Sequence, residues 1–157
     1  MAIIPAGPPS PEPGGRTLVV LGLDRQATGR AALLFALEEA RCRHGALACV
    51  RAWGEAETLS AEGRHLIVRS PDQDRPDELL LGELSELRRR FRDVPVEQRL
   101  VPGAAVDALL EAASEAQLLV LGSGHSEHEW SSHLGPIPAD VIRRSPCPLI
   151  IVGPAHT

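Results

Sequence analysis

The apolar positions of the chain form short continuous runs that alternate with stretches of helical spacing. The predicted strands cover residues 17–23, Ala46–Trp53, 94–101, 118–121 and Leu149–Val152. The continuous runs at 17–23 and 118–121 are typical of strands buried on both faces, and 94–101 is predicted as a strand with Pro95 near its start. Such strands, separated by helices, imply right-handed crossovers and a parallel sheet with helices on both faces. The pattern therefore predicts one α/β domain built on an open five-stranded parallel sheet.

The segments between these runs carry apolar stripes at helical spacing. The stripes are Leu33, Ala36, Leu37 and Ala40; Leu80, Leu84, Leu87 and Phe91; Val106, Leu109, Leu110 and Ala113; and Ile137 with Val141. Gly45 is expected to end the first helix in the usual position of a C-terminal glycine. Residues 54–75 are predicted to form a polar connection, in which His65–Val68 is ambiguous between strand and loop.

A strand order of 3-2-1-4-5 is expected for such a sheet, and it places the reversal of winding between the first and fourth strands. Ligands of open α/β sheets bind at that point, beyond the carboxyl ends of the strands. The loops that start at Asp24 and Gly122 would face each other there. Asp24 is a candidate acceptor for ribose hydroxyls or an adenine amino group, and the alternative is an ordinary turn or capping aspartate.

Residues 1–15 contain five of the 14 prolines and are predicted to be a disordered Pro/Gly-rich tail, with the domain covering residues 16–157. The tail lacks the basic and apolar regions of a signal peptide, and no later run approaches the length of a membrane span. The three cysteines form no CxxC pair. A cytoplasmic protein without a disulfide framework or membrane association is therefore expected.

All 16 basic residues are arginine, so a Walker A phosphate loop, which needs a lysine, is excluded. The net charge of -5 leaves no cationic surplus for a nucleic acid backbone. Aromatic residues make up only 3% of the chain, which argues against base stacking. Nucleic acid is therefore not an expected partner.

Motifs of enzymes come close but do not match. Glu127 stands where a GxGxxG loop needs its third glycine, and Leu121 stands where a nucleophile elbow around Ser123 needs glycine. No activated nucleophile or carboxylate pair is evident, so we expect no enzyme.

A zincin motif fails because His133 follows His128 by five residues instead of four. A metal site in a loop formed by His125, His128 and His133 remains a minor alternative, against the expectation of an exposed polar loop without a metal.

Several segments together resemble the universal stress protein family. They are residues 18–24 with 30–33, residues 40–46, residues 101–103 with 108–113, residues 118–123, and residues 145–152, the last containing Pro146, Cys147 and Pro148. The resemblance implies an adenine nucleotide alpha hydrolase-like fold, a role in stress tolerance and, in some members, ATP binding. It also implies a homodimer, for which the apolar last strand, Leu149–Val152, offers an open sheet edge.

The resemblance further implies a phosphate loop of the form Gly-x2-Gly-x9-Gly followed by Ser or Thr. Gly122 matches the first position, with Ser123 beside it, and Gly135 matches the third. His125 replaces the second glycine and Pro136 replaces the hydroxyl residue, which obstructs the approach of phosphate and removes donors. ATP binding is therefore expected to be lost or weakened.

The adenosine side of the implied pocket matches better. Asp24 corresponds to the family's adenosine-side aspartate, and Val50 falls near the residue whose backbone meets adenine. ATP or AMP binding with a modified phosphate loop is the alternative function, and His125 could serve there as a charged partner of an anion.

Overall fold

A computed structural model describes residues 2–4, 17–23, 30–53, 56–59, 65–68, 78–122 and 136–153. The strands are β1 (Ala2–Ile4), β2 (Leu18–Gly22), β3 (Ala46–Trp53), β4 (Ala56–Leu59), β5 (His65–Val68), β6 (Val96–Pro102), β7 (Leu118–Gly122) and β8 (Leu149–Val152). The helices are α1 (Arg30–Cys42), α2 (Glu78–Arg90), α3 (Ala105–Ser114) and α4 (Pro136–Arg144). Every predicted strand and helix is thus present, and the strand ends lie within two residues of those predicted.

Six strands form one sheet in the order β1-β8-β7-β2-β3-β6. All of these strands except β1, namely β6, β3, β2, β7 and β8, run parallel to one another. Numbered along the chain, these five give the order 3-2-1-4-5, which confirms the predicted topology. The winding of the chain therefore reverses between β2 and β7.

The sixth strand, β1, corrects the predicted tail at three of its residues. Ala2, Ile3 and Ile4 pair antiparallel with Ile151, Ile150 and Leu149. The edge of β8, which we expected to be open, is therefore covered by the chain's own first strand. Residues 5–16 lie outside the described part of the chain, so the boundary at residue 16 stays a prediction.

A second, two-stranded sheet lies in the predicted polar connection. Its strands β4 and β5 pair antiparallel, from Ala56 opposite Val68 to Leu59 opposite His65. The ambiguous apolar piece at β5 is therefore a strand. Local pattern could not decide this, because a four-residue strand needs its partner to be recognised.

Two apolar clusters, one on each face of the main sheet, form the core. Val19 and Leu21 of β2 pack on one face with buried side chains of α1 and α2. Val20, between them, packs on the other face with side chains of α3 and α4. This alternation along one strand places helices on both faces, as a parallel sheet requires.

The stripe predicted for α1 is fully buried, and the helix ends one residue earlier than expected. The His44 N–H bonds the Arg41 carbonyl at 3.0 Å and the Gly45 N–H bonds the Ala40 carbonyl at 2.9 Å. This is a Schellman motif in which His44, with φ 52°, holds the left-handed position. Gly45 instead permits close packing, since a Cβ there would lie 2.2 Å from the Thr17 carbonyl oxygen.

Candidate functional site

The carboxyl ends of β2 and β7 lie side by side at the point where the winding reverses. Gly22 of β2 pairs with Leu121 of β7 on one side and with Val50 of β3 on the other. The chain leaves β2 through Leu23 and leaves β7 through Gly122 at this edge. A crevice between two diverging loops is the expected ligand position of such a sheet.

Two of the six predicted contact residues, Val50 and Gly122, belong to the described part of the chain. Strand pairing brings both to the carboxyl edge, on opposite sides of β2 and therefore about 10 Å apart, or two strand spacings. The other four, Asp24, Ser123, His125 and Gly135, lie outside the described residues. So do His128 and His133, and the roles of all these residues stay predictions.

The backbone of β3 directs the N–H and C=O groups of Ala52, like those of Val50, toward the β2 side. The Ala46 N–H donates to the Thr17 carbonyl at 2.8 Å and the Leu47 N–H donates to the Pro95 carbonyl at 2.9 Å. Even-numbered residues of β3 therefore direct their N–H and C=O groups to the β2 side, and odd-numbered residues direct theirs to β6.

The Val50 carbonyl already accepts the Leu23 N–H at 2.8 Å, inside the sheet. Among the described residues this is the last bond of the β2–β3 ladder, so the next backbone groups on that side belong to Ala52. Ala52 is half-buried, whereas Val50 is only 1% exposed. Sequence reasoning missed Ala52, because only the register shows how far β3 extends beyond β2.

Gly22 is a second residue that the sequence did not single out. A Cβ at Gly22 would lie 2.5 Å from Leu121 Cδ2 and 2.8 Å from Leu109 Cδ2. Both leucines are buried. A Cβ here would force both leucine side chains to shift, so glycine favours the close packing of β7 and α3 against the end of β2.

The N-terminus of α4 follows the loop that starts after Gly122, and it carries few hydrogen-bond donors. The first turn of a helix offers unpaired N–H groups and a positive dipole end to an anion. α4 begins with Pro136, Ile137 and Pro138, and proline has no N–H. Among these first three positions, Ile137 alone retains a backbone N–H donor.

The two buried cysteines are not activated. Burial raises the pKa of the Cys49 thiol from 9.0 to about 12. Burial likewise raises the pKa of Cys147, against the opposing effect of hydrogen bonds from its surroundings. Both thiols therefore stay protonated at neutral pH and make weak nucleophiles, while Cys42 is exposed.

A cleft of about 280 Å³ lies at the opposite, amino-terminal edge of the sheet, lined by residues that include Arg41, His44 and Asp93. The Arg41 and Arg90 guanidinium carbons lie 4.8 and 5.4 Å from the centre of the Phe91 ring. Arg90 also pairs with Glu38 at 3.3 Å. These contacts join the ends of α1 and α2 and do not touch the predicted nucleotide edge.

Within the described ranges, no three His, Cys, Asp or Glu side chains group closely enough to hold a metal ion. The same part of the chain contains no helix that is both long and apolar enough to cross a membrane.

Comparison with known proteins gives one consistent result. The model of the universal stress protein family matches residues 16–153. A universal stress protein of Mycobacterium tuberculosis is 30% identical over 96% of this chain and 48% of its own length. The chain thus spans about half the length of the curated relatives it matches.

Solved structures of universal stress proteins share the fold. One, in complex with cAMP, is 28% identical, with a TM-score of 0.57 over 89% of this chain and 98% of its own. Another, from Archaeoglobus fulgidus, has a TM-score of 0.63 over 87% of this chain and 93% of its own, at 20% identity, and is similar in fold alone.

Proposed function

This chain belongs to the universal stress protein family, and we propose that it acts as a non-catalytic stress-response module whose ATP site is weakened on the phosphate side. The adenosine side of the same site is proposed to be retained, so that an adenine nucleotide with one phosphate binds at least as well as ATP. The observation that carries the proposal is the pair of prolines in the first turn of α4.

The adenosine side rests on the geometry of the carboxyl edge. The N–H and C=O groups of Ala52 lie on the β2 side, beyond the bond that joins the Leu23 N–H to the Val50 carbonyl. A donor and an acceptor on one residue suit the amino group and ring nitrogens of adenine, and a carboxylate suits ribose hydroxyls. We propose Ala52 in place of Val50 as the backbone contact. The complex of a 28% identical relative with cAMP supports the binding of an adenine nucleotide.

The phosphate side rests on what Pro136, Pro138 and His125 remove. Each missing N–H or hydroxyl is a lost charge-assisted hydrogen bond, worth about 1.5–3 kcal/mol with an anionic partner. Two such losses correspond to an affinity lower by at least a hundred-fold. ATP therefore binds with little more affinity than AMP, because its two additional phosphates find no hydrogen-bond donors.

The absence of catalysis is part of the proposal. Hydrolysis of a nucleotide needs an activated nucleophile or a positioned general base. The raised pKa values of Cys49 and Cys147 support the proposal, because these buried thiols remain protonated.

Thermal unfolding in the presence of AMP, cAMP, ATP or inorganic phosphate tests the proposal. A ligand at a hundred times its Kd stabilises the folded state by about 2.7 kcal/mol. We expect AMP or cAMP to raise the Tm at millimolar concentration, with ATP no more effective. Incubation with ATP should release no phosphate. A Tm that no nucleotide changes refutes the adenosine site, and an ATP affinity far above that for AMP refutes the weakened phosphate side.

The double variant His125→Gly with Pro136→Ser restores the two positions that depart from the family's phosphate loop. ATP affinity should rise at least ten-fold in this variant, with AMP affinity changing less, because the restored donors serve the outer phosphates. Asp24→Asn is the matched control on the adenosine side and should weaken both nucleotides equally. Equal ATP affinity in the double variant and the parent, measured by calorimetry, contradicts the role of these positions.

A further inference from the structure

The outer edge of β8 carries the chain's own first strand at the place where a second copy was expected. β8 pairs parallel with β7 on its inner side and antiparallel with β1 on its outer side.

The sequence of β8 favours pairing of its outer edge with another strand. Leu149, Ile150 and Ile151 are buried, and the strand contains no charge and no proline. Edge strands that stay unpaired usually carry a charge, a proline or a bulge that prevents association. This edge has none of these, so a strand must cover it.

The direction of β1 is also the direction that a second β8 would take. Ile150 lies opposite Ile3 at the middle of the antiparallel pairing. Two identical strands related by a two-fold axis pair antiparallel, so β8 of a second copy would form the same kind of ladder at the same edge. The two occupants exclude each other.

β1 has only three residues, whereas the segment that joins it to β2, residues 5–17, has 13 and is called the tether below. Three residues gain few hydrogen bonds against the entropy lost in ordering them. Ile4 and Leu18 lie at the same end of the sheet, three strand spacings or about 14 Å apart. The 13 residues between them in sequence could span about 40 Å when extended, so the tether does not hold β1 in place by tension.

We propose that β1 is a displaceable intramolecular cover of the β8 edge, and that a second copy of this chain pairs β8 to β8 only when β1 is released or removed. The tether keeps β1 at a high local concentration near the β8 edge. At low protein concentration β1 therefore occupies this edge in preference to a second copy. Release of β1 uncovers the edge at the three apolar residues it pairs with, Leu149 to Ile151, and converts monomers into dimers.

Sedimentation equilibrium of three variants between 1 and 100 μM tests the proposal. The first variant lacks residues 2–15, and the second replaces the strand by Ala2→Gly, Ile3→Ser and Ile4→Gly. The control makes an equal change in the tether, Pro8→Gly, Pro9→Ser and Ser10→Gly. We expect the intact chain and the control to be monomers at 10 μM, and both strand variants to dimerise with a Kd at least ten-fold lower.

Three results overturn the proposal. Strand variants that stay monomeric at 100 μM show that the uncovered edge does not dimerise. An intact chain that dimerises as tightly as the variants shows that β1 does not compete. A dimeric intact chain whose strand variants are monomeric points to exchange of β1 between copies instead.

Hydrogen exchange on the intact chain gives a second readout that needs no variant to fold. The Leu119 N–H donates to the Pro148 carbonyl, so even-numbered residues of β8 face β7, while Leu149 and Ile151 face β1. If β1 opens on its own, the amides of Leu149 and Ile151 exchange at least ten-fold faster than those of Ile150 and Val152. Equal rates would mean that β1 opens only with the whole sheet and is not a displaceable cover.

Discussion

Alkaline pH should destabilise this protein mainly through one buried thiol. The chain contains no lysine and no tyrosine, so between pH 9 and 12 its cysteines are the side chains that lose protons. Burial raises the pKa of Cys49 from 9.0 to about 12 in the folded state. The unfolded chain therefore releases this proton about three pH units before the folded chain does.

The sign and size of the effect follow from this difference in pKa. Below pH 9 both states hold the proton, and the stability that depends on it is fully present. Above pH 9 the unfolded state gives the proton up first, so the folding equilibrium constant falls about ten-fold per pH unit until the pKa of the folded state is reached. At pH 11 the loss from Cys49 amounts to about 3 kcal/mol, a large fraction of a typical domain's stability.

Urea unfolding followed by circular dichroism at pH 8, 9, 10 and 11, with a reductant present, measures this loss. The variant Cys49→Ala removes the titration, so its stability should fall by about 3 kcal/mol less than the parent's between pH 8 and 11. Cys42→Ala, at the exposed thiol, is the matched control and should follow the parent. Parallel loss of stability in the parent and in Cys49→Ala, at constant m, would show that the Cys49 pKa is not raised.

Three further measurements test the packing. Gly22→Ala should lower the free energy of unfolding by about 1–3 kcal/mol, because its Cβ crowds two buried leucines. Gly45→Ala should lower it by more, because its Cβ meets a backbone carbonyl. A larger loss for Gly22→Ala than for Gly45→Ala in urea unfolding contradicts this. His44→Gly should stabilise the protein by about 1 kcal/mol by relieving its positive φ, and a loss of stability in the same assay contradicts the assigned helix end. A thiol reagent at pH 8 should label Cys42 rapidly in the folded protein and all three cysteines after urea unfolding, whereas rapid labelling of Cys49 or Cys147 before unfolding contradicts their burial.

The sequence predicted the features that local pattern determines. The stripe from Leu33 to Ala40 marks a helix face, and continuous runs such as Val19 to Leu21 mark strands buried on both faces. Alternation of the two, with the family resemblance, was enough for the strand order. Each of these signals is contained in a window of about ten residues.

Features that depend on pairing between distant segments were not predictable in this way. Ala2–Ile4 is too short to register as a strand beside a proline-rich stretch, and it is defined by its contact with β8. Ala52 lies beyond the last described bond between β2 and β3 because β3 is longer than β2, which only the register reveals. His44, and not Gly45, takes the left-handed position at the end of α1, while Gly45 lies in close contact with Thr17.

The first turn of α4 connects fold and function through a single residue type. Proline at the first position of a helix has the φ that the helix needs, and the N–H that it lacks would have no partner within the helix. Pro136 therefore favours the helix start in the absence of a ligand, while Pro138 is buried beside it. The same missing N–H groups are the donors that a phosphate requires. A helix start with so few N–H donors has little to offer the phosphates of a nucleotide, which agrees with the proposed weakening of the phosphate side.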